Sequence, residues 1–247
     1  MNMIDHIYVL NLENRKDRKA YMNTMLNWLN LSHKTTFINA IDGKKLMSEK
    51  PIHSDSIYQW NMENFTSDIN KYHKVAPFYF RDINHGEIGC SLSHIKIWKK
   101  FLQSEHEQVL ILEDDIRVAR TYQGTDINAI IDKTIKQCLN NKWQYDLLYL
   151  GRYPLSNDTP LSEDIYRPGY SWLSHAYILT KSGAKKLLDG GLENLIIPVD
   201  EYIPALFGEH LREDIHELYK DKEKLKALSI YPNLFDQDRE LFSSDIN

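Results

Sequence analysis

Four consecutive aliphatic residues, Val109-Leu110-Ile111-Leu112, run without a break into three carboxylates, Glu113-Asp114-Asp115. Successive side chains of a strand point to opposite faces, so an unbroken aliphatic run asks for cover on both sides. The segment 4–12, IDHIYVLNL, has the same character and reads as the first strand. Asn14 then stands at a position suited to an N-cap, ahead of a run in which Tyr21, Met25, Trp28 and Leu29 recur at helical spacing. A buried strand followed by an amphipathic helix is α/β behaviour.

The rest of the chain continues the alternation. Residues 36–41 read as a short strand closed by Asp42-Gly43, a pair suited to a turn. Residues 48–85 keep no period and read as a long irregular excursion. Helices are expected over 86–103, 126–140, 181–188 and 199–206, the third stopped by Gly190-Gly191 and the last preceded by Pro198. Strands are expected over 109–112, 145–150, 174–180 and 227–231. No repeat, low-complexity tract or linker interrupts the 247 residues, so a single domain spanning 1–247 is expected.

Composition removes several classes. With 42% hydrophobic and 26% charged residues the chain is neither disordered nor fibrous. A formal charge of −5, with both signs interspersed, provides no basic footprint for a nucleic-acid partner. Cys90 and Cys138 are far apart in helix-like apolar settings and read as buried reduced thiols. No run approaches the roughly 20 apolar residues of a membrane span. The first strand begins too near the N-terminus to leave room for a signal peptide, and the expected location is cytoplasmic. The 15 tyrosines and 5 tryptophans suit either core packing or stacking platforms, and the sequence sets no oligomeric state.

Three adjacent carboxylates at a strand end repel one another, and a cation would relieve them. Hard oxygen donors suit Mg²⁺ or Mn²⁺, and ligands of open α/β sheets sit beyond the carboxyl ends of strands. An acidic turn capping the next segment, or a two-metal phosphoryl-transfer site, accounts for the same triplet. Asp200 and Glu201 follow Pro198 in the first turn of a helix, where they serve either the helix dipole or as a general base. Arg15 and Arg18 follow the first strand, suited to a phosphate or to a solvated helix start. His85 and His94 flank a Gly86-Glu87-Ile88-Gly89 turn. Neither a Walker loop nor a dinucleotide glycine fingerprint is present, which weakens kinase, ATPase and dehydrogenase readings.

Taken in order, five blocks resemble glycosyltransferase family 25, which includes lipooligosaccharide and collagen hydroxylysine galactosyltransferases. They are IYVLNLENRKDR at 7–18, AIDGKKL at 40–46, GEIGCSLSHIKIW at 86–98, LILEDD at 110–115, and SHAYILTKSGAKKLL with PVDEYI between 174 and 203. The tail, with Gln237 and Ser244-Asp245-Ile246, is similar too. GEIGCSLSH is the most specific block. The resemblance implies a GT-A type fold with a central mixed, mostly parallel sheet flanked by helices. It also implies a UDP-galactose or UDP-glucose donor, Mn²⁺ (or Mg²⁺), an inverting displacement, and a glycan or collagen-like protein as acceptor. Carried onto this sequence, Glu113, Asp115 and Gln237 would hold the metal, with Asp114 near the donor ribose or sugar. Asn11, Arg15, Arg18, Asp42 and Gly43 would line the uridine end. Glu87, Ser93 and His94 would shape the donor pocket, and Asp200, ahead of Glu201, would be the base. Two other classes compete: a metal-dependent phosphoryl-transfer or hydrolytic enzyme, and an inactive glycan-binding domain of transferase type.

Overall fold

A computed structural model describes residues 3–62 and 76–242. The tail residues Ser244-Asp245-Ile246 and positions 63–75 of the irregular stretch lie outside the described residues.

Strand β1 (His6–Asn11) leads into helix α1 (Lys16–Trp28), then β2 (Thr35–Asn39) and helix α2 (Gly43–Glu49). A short helix α3 (Ala76–Tyr79) precedes the long helix α4 (His85–Leu102), strand β3 (Gln108–Leu112) and strand β4 (Ile116–Val118). Helix α5 (Ile127–Asn140) is followed by β5 (Leu147–Pro154), β6 (Thr159–Pro160), β7 (Ile165–Arg167) and β8 (Ser171–Thr180). The chain closes with α6 (Lys181–Asp189), α7 (Val199–Phe207), α8 (Glu213–Tyr219), β9 (Ala227–Ile230) and β10 (Phe235–Gln237).

Among the described residues, eight strands form one sheet in the order β2-β1-β3-β8-β5-β9-β7-β6. Strands β1, β2 and β3 pair in parallel, as do β5 and β9, whereas β8 runs antiparallel to both β3 and β5. Six strands therefore point one way and only β8 and β7 oppose them. This is the α/β single domain with a mixed, mostly parallel sheet that the sequence led us to expect.

The aliphatic run explains the layering. Val109 and Ile111 belong to one hydrophobic cluster, with residues of α4, α6, α7 and α8, while Leu110 and Leu112 belong to another, with α1 and α5. All four are fully buried. Burial of each such side chain contributes about 1.5–3 kcal/mol before entropy is counted.

Several local expectations change. Asn14 does not cap α1: Arg15 occupies that position and no side-chain cap bond forms. Trp28 is not on the packed face but 64% exposed. Asp42-Gly43 is a helix start rather than a turn, with the Asp42 side chain accepting the Lys45 N–H. His85 and the Gly86-Glu87-Ile88-Gly89 stretch are helical, because Asn84 and Glu87 form a capping box that opens α4 earlier. Part of the 48–85 excursion is ordered, with Tyr58 N–H donating to the Ile196 carbonyl.

Two glycines bring α2 onto α4. A Cβ on Gly43 would fall inside the His85 carbonyl, and one on Gly89 would sit 2.5 Å from the Ile41 carbonyl oxygen. Only hydrogen side chains allow that approach, and it aligns the start of α2 with the cavity-facing side of α4.

Candidate active site

The triplet Glu113-Asp114-Asp115 ends β3 at the carboxyl edge of the sheet, and its members have separate environments. Asp114 is 6% exposed; one carboxylate oxygen accepts from Arg18 Nη1 at 2.7 Å and the other from Asn11 Nδ2 at 2.6 Å. Burial raises its pKa, against the pull of Arg18 and Asn11. Arg18 also reaches Asp115 Oδ2 at 3.5 Å, yet Asp115 Oδ1 is buried with no hydrogen-bond partner among the described residues. Burial and then the Glu113 charge push the Asp115 carboxyl up to about 7. Glu113 is desolvated too, but the His94 ring, with Nε2 at 3.4 Å from Oε1, together with the charges of His175 and Arg18, holds its pKa down.

Two distant segments brace this turn. The Glu113 N–H donates to the His175 carbonyl of β8, and the Asp238 N–H to the Asp115 carbonyl at 2.6 Å. Pairing of β10 with β4 sets Gln237 opposite Ile116. That places Gln237 beside a turn more than a hundred residues earlier in the chain.

A cavity of about 110 Å³ lies over the triplet, lined by Arg18, Asp42, Gly43, Ser93, Asp114 and Asp115 among others. A second, of about 390 Å³, is lined by Trp60, Phe78, Arg81, Glu87, Trp172 and Asp200 among others. The two meet: Cys90, Glu113 and Gln237 line both.

In the larger cavity the two neighbouring carboxylates of α7 differ sharply. Glu201 is 3% exposed and accepts from Tyr170 OH at 2.7 Å and Trp172 Nε1 at 2.9 Å. His210 Nε2 lies 2.9 Å from Oε2 but off the direction of a hydrogen bond. Among the described residues Asp200 has one long contact, the N–H of Leu173 at 3.5 Å, and Leu173 holds a left-handed φ of 70°. Burial, and then the charges of Glu201 and Glu87, push the Asp200 carboxyl up to about 8. A carboxyl poised near neutrality beside open space has the character of a general base.

The residues singled out from the sequence thus fall into four groups. Arg18, Asp42, Gly43, Ser93, Asp114 and Asp115 line the smaller cavity, Glu87, Asp200 and Glu201 the larger, and Glu113 and Gln237 both. Asn11, Arg15 and His94 line neither. Asn11 grips Asp114, Arg15 pairs with Asp17 at 2.8 Å, and His94, fully buried, backs Glu113. Ser93 reaches the cavity wall as a brace, accepting the Ile41 N–H and donating to the Gly89 carbonyl. Glu87 is held by Arg81 through both carboxylate oxygens, at 2.8 and 2.5 Å. Cys90 is not buried as expected but half-buried at the junction, and both cysteines are free thiols. Sequence reasoning missed Arg81, Trp172 and Cys90 as lining residues; only Cys90 carried a signal, its place inside the GEIGC block.

The chain thus presents an α/β sheet with an acidic turn at its carboxyl edge, where ligands of such sheets sit, and a raised carboxyl across a joined cavity. The family model described as glycosyltransferase family 25 (LPS biosynthesis protein) matches residues 4–203. The chain belongs to glycosyltransferase family 25. It is 32% identical to a glycosyltransferase 25 family member of Anopheles gambiae, over 94% of this chain and 36% of that one. It is 28% identical to mouse procollagen galactosyltransferase 2, over 93% of this chain and 34% of that protein. A bovine relative named probable inactive glycosyltransferase 25 family member 3 is also 28% identical, over 93% and 36%. The chain spans about a third of the length of these curated relatives. Among the described residues no helix is long and apolar enough to cross a membrane.

Proposed function

We propose that the chain transfers galactose or glucose, with inversion, from UDP-galactose or UDP-glucose to a hydroxyl of a glycan or of hydroxylysine in a collagen-like protein. The observation that carries this reading is the pair of cavities joined at Glu113, with an acidic turn in one and Asp200 in the other. Family membership supports the transfer chemistry. The mouse relative's name supports galactose and a collagen-like acceptor, and the family description supports a glycan.

The donor set fits Mn²⁺ or Mg²⁺. Glu113, Asp115 and Gln237 offer hard oxygens around one cavity, and the unpartnered Asp115 Oδ1 together with a carboxyl raised to about 7 is what a nearby cation would relieve. When bound, the metal would neutralise charge on the departing diphosphate. The protein's own part is divided. Arg18 and Asn11 fix Asp114 toward the donor cavity, and Asp42 and Gly43 line its far wall. Asp200 takes the acceptor hydroxyl proton as that oxygen attacks the anomeric carbon, and the bond to UDP breaks on the opposite side. Glu201, saturated by Tyr170 and Trp172, holds the first turn of α7 so that Asp200 stays aimed at the cavity.

UDP release from a panel of UDP-sugars, with Mn²⁺ present or chelated, tests this on wild type, Asp115→Ala and Asp200→Ala. Wild-type turnover should vanish on chelation and in Asp115→Ala. Asp200→Ala should still bind UDP and lose transfer by about 10²–10⁴-fold. Turnover indifferent to chelation and to Asp115→Ala would overturn the metal role. Release of inorganic phosphate instead of UDP would point to phosphoryl transfer or hydrolysis, and sugar binding without turnover to a glycan-binding domain.

A further inference from the structure

Cys90 and His94 stand four residues apart on α4, one above the other on a single helix face, and that face meets Glu113. The Cys90 sulfur, a ring nitrogen of His94 and a Glu113 carboxylate oxygen all lie within 4.8 Å of one another. The tightest pair is His94 Nε2 with Glu113 Oε1, at 3.4 Å. Bonds to tetrahedral zinc of about 2.0–2.3 Å place ligand atoms about 3.3–3.8 Å apart, so small side-chain rotations close the triad. One thiolate, one imidazole and one carboxylate is a donor set that favours Zn²⁺ over the hard cations.

We propose that Cys90, His94 and Glu113 form a Zn²⁺ site distinct from the Glu113-Asp115-Gln237 set, and that filling it inhibits transfer because both sets need Glu113. Cys90 and Glu113 both line the two joined cavities, so the ion has a route in and water has room for the fourth position. His94 approaches from the core side, fully buried.

The surroundings of His94 suit a ligand. Its Nδ1 is 2.8 Å from Tyr177 OH, and the same oxygen accepts from Trp98 Nε1 at 2.9 Å. With the neutral ring protonated on Nε2, Tyr177 OH donates to Nδ1 and the Nε2–H faces Glu113. With Zn²⁺ on Nε2 the proton sits on Nδ1, and the two lone pairs of Tyr177 accept from Trp98 and His94. The Tyr177 oxygen thus becomes the acceptor of the Nδ1–H, the hydrogen-bond partner that a metal-bound imidazole characteristically has, with its own O–H turned away from Nδ1. On binding, the Cys90 S–H bond is exchanged for S–Zn and the proton leaves to solvent.

The binding stands apart from the transferase reading, whereas the inhibition rests on it. Co²⁺, as a spectroscopic stand-in for Zn²⁺, is titrated into the full chain and into Cys90→Ser and Cys138→Ser. A thiolate-to-cobalt charge-transfer band is expected at one equivalent in wild type and Cys138→Ser, lost in Cys90→Ser and bleached by Zn²⁺; Co²⁺ on oxygen donors alone gives no such band. Absence of the band in wild type, or its survival in Cys90→Ser, overturns the site. If Cys90→Ser does not melt cooperatively, His94→Gln replaces it and should lose binding at one equivalent. In UDP release with Mn²⁺, one equivalent of Zn²⁺ should suppress wild type and leave Cys90→Ser at its own zinc-free rate. Wild-type turnover unmoved by Zn²⁺ overturns the shared role of Glu113 even where the band is present. A chain that releases no UDP from any donor defeats the transferase reading, and the cobalt titration still decides the site.

Discussion

At Asp200 the cost of burial is written as a proton. Its carboxyl is raised from an ordinary 3.8 to about 8, so between those values the folded chain keeps a proton that the unfolded chain has released. Stability contributed by this group therefore falls as pH rises through that window. Asp200→Asn removes the penalty: its melting temperature relative to wild type should be near parity at pH 4–5 and climb steadily to pH 8–9. A difference that stays flat across that range would refute the raised carboxyl. On the proposed mechanism the same ionisation governs activity, since a base must be unprotonated, and transfer by wild type should rise through a midpoint well above that of an ordinary carboxylate. Of the site's residues, those clustered along the chain were legible: three carboxylates in a row, and two in a helix's first turn, are local charge anomalies. Cys90 was read as core because helical spacing gives a residue's face but not how far along that face the cavity opens. Arg81 and Trp172 lie in segments without a period, where no pattern assigns a direction.

Among the elements, helix α4 was readable from its recurring apolar positions, whereas the capping box of Asn84 and Glu87 that opens it, a spacing of three, went unread and residues 86–89 read as a turn. Strands β4 and β10, three residues each, were not readable. So short a strand exists only because a distant partner pairs with it, and no local sequence carries the partner's address. The contact of α2 with α4 is the element on which the smaller cavity depends. Gly89→Ala puts a methyl 2.5 Å from the Ile41 carbonyl, where only backbone can yield. Overpacking of this kind costs about 1–3 kcal/mol, and chemical denaturation should show it. Because Asp42 and Gly43 shift with α2, calorimetry should show UDP binding weakened at temperatures where the variant is still folded. Unchanged UDP affinity would mean that this wall does not touch the donor.

For the molecule as a whole, the alternation within the strands decides the architecture. Leu110→Ala and Ile111→Ala each empty a fully buried position and should each cost about 2–5 kcal/mol in denaturant melts. Although adjacent in sequence they face separate clusters, so the double variant should lose nearly the sum of the two. A strongly sub-additive double variant would show one continuous core instead. The central strands were legible because burial on both faces leaves a continuous aliphatic signature. The order of strands was not, since the antiparallel β8, inserted between β3 and β5, connects segments that sequence distance keeps apart.

That inserted strand also measures something. The His175 carbonyl takes the Glu113 N–H, and two residues earlier the Leu173 N–H reaches Asp200. On the proposed mechanism, one stretch of backbone thus works as a gauge between the place where the leaving group would depart and the place where the nucleophile would be deprotonated. On the same reading the width open to an acceptor is set by Phe78 and Trp172, whose ring centres lie 4.3 Å apart in the larger cavity, while the gauge itself has a single setting.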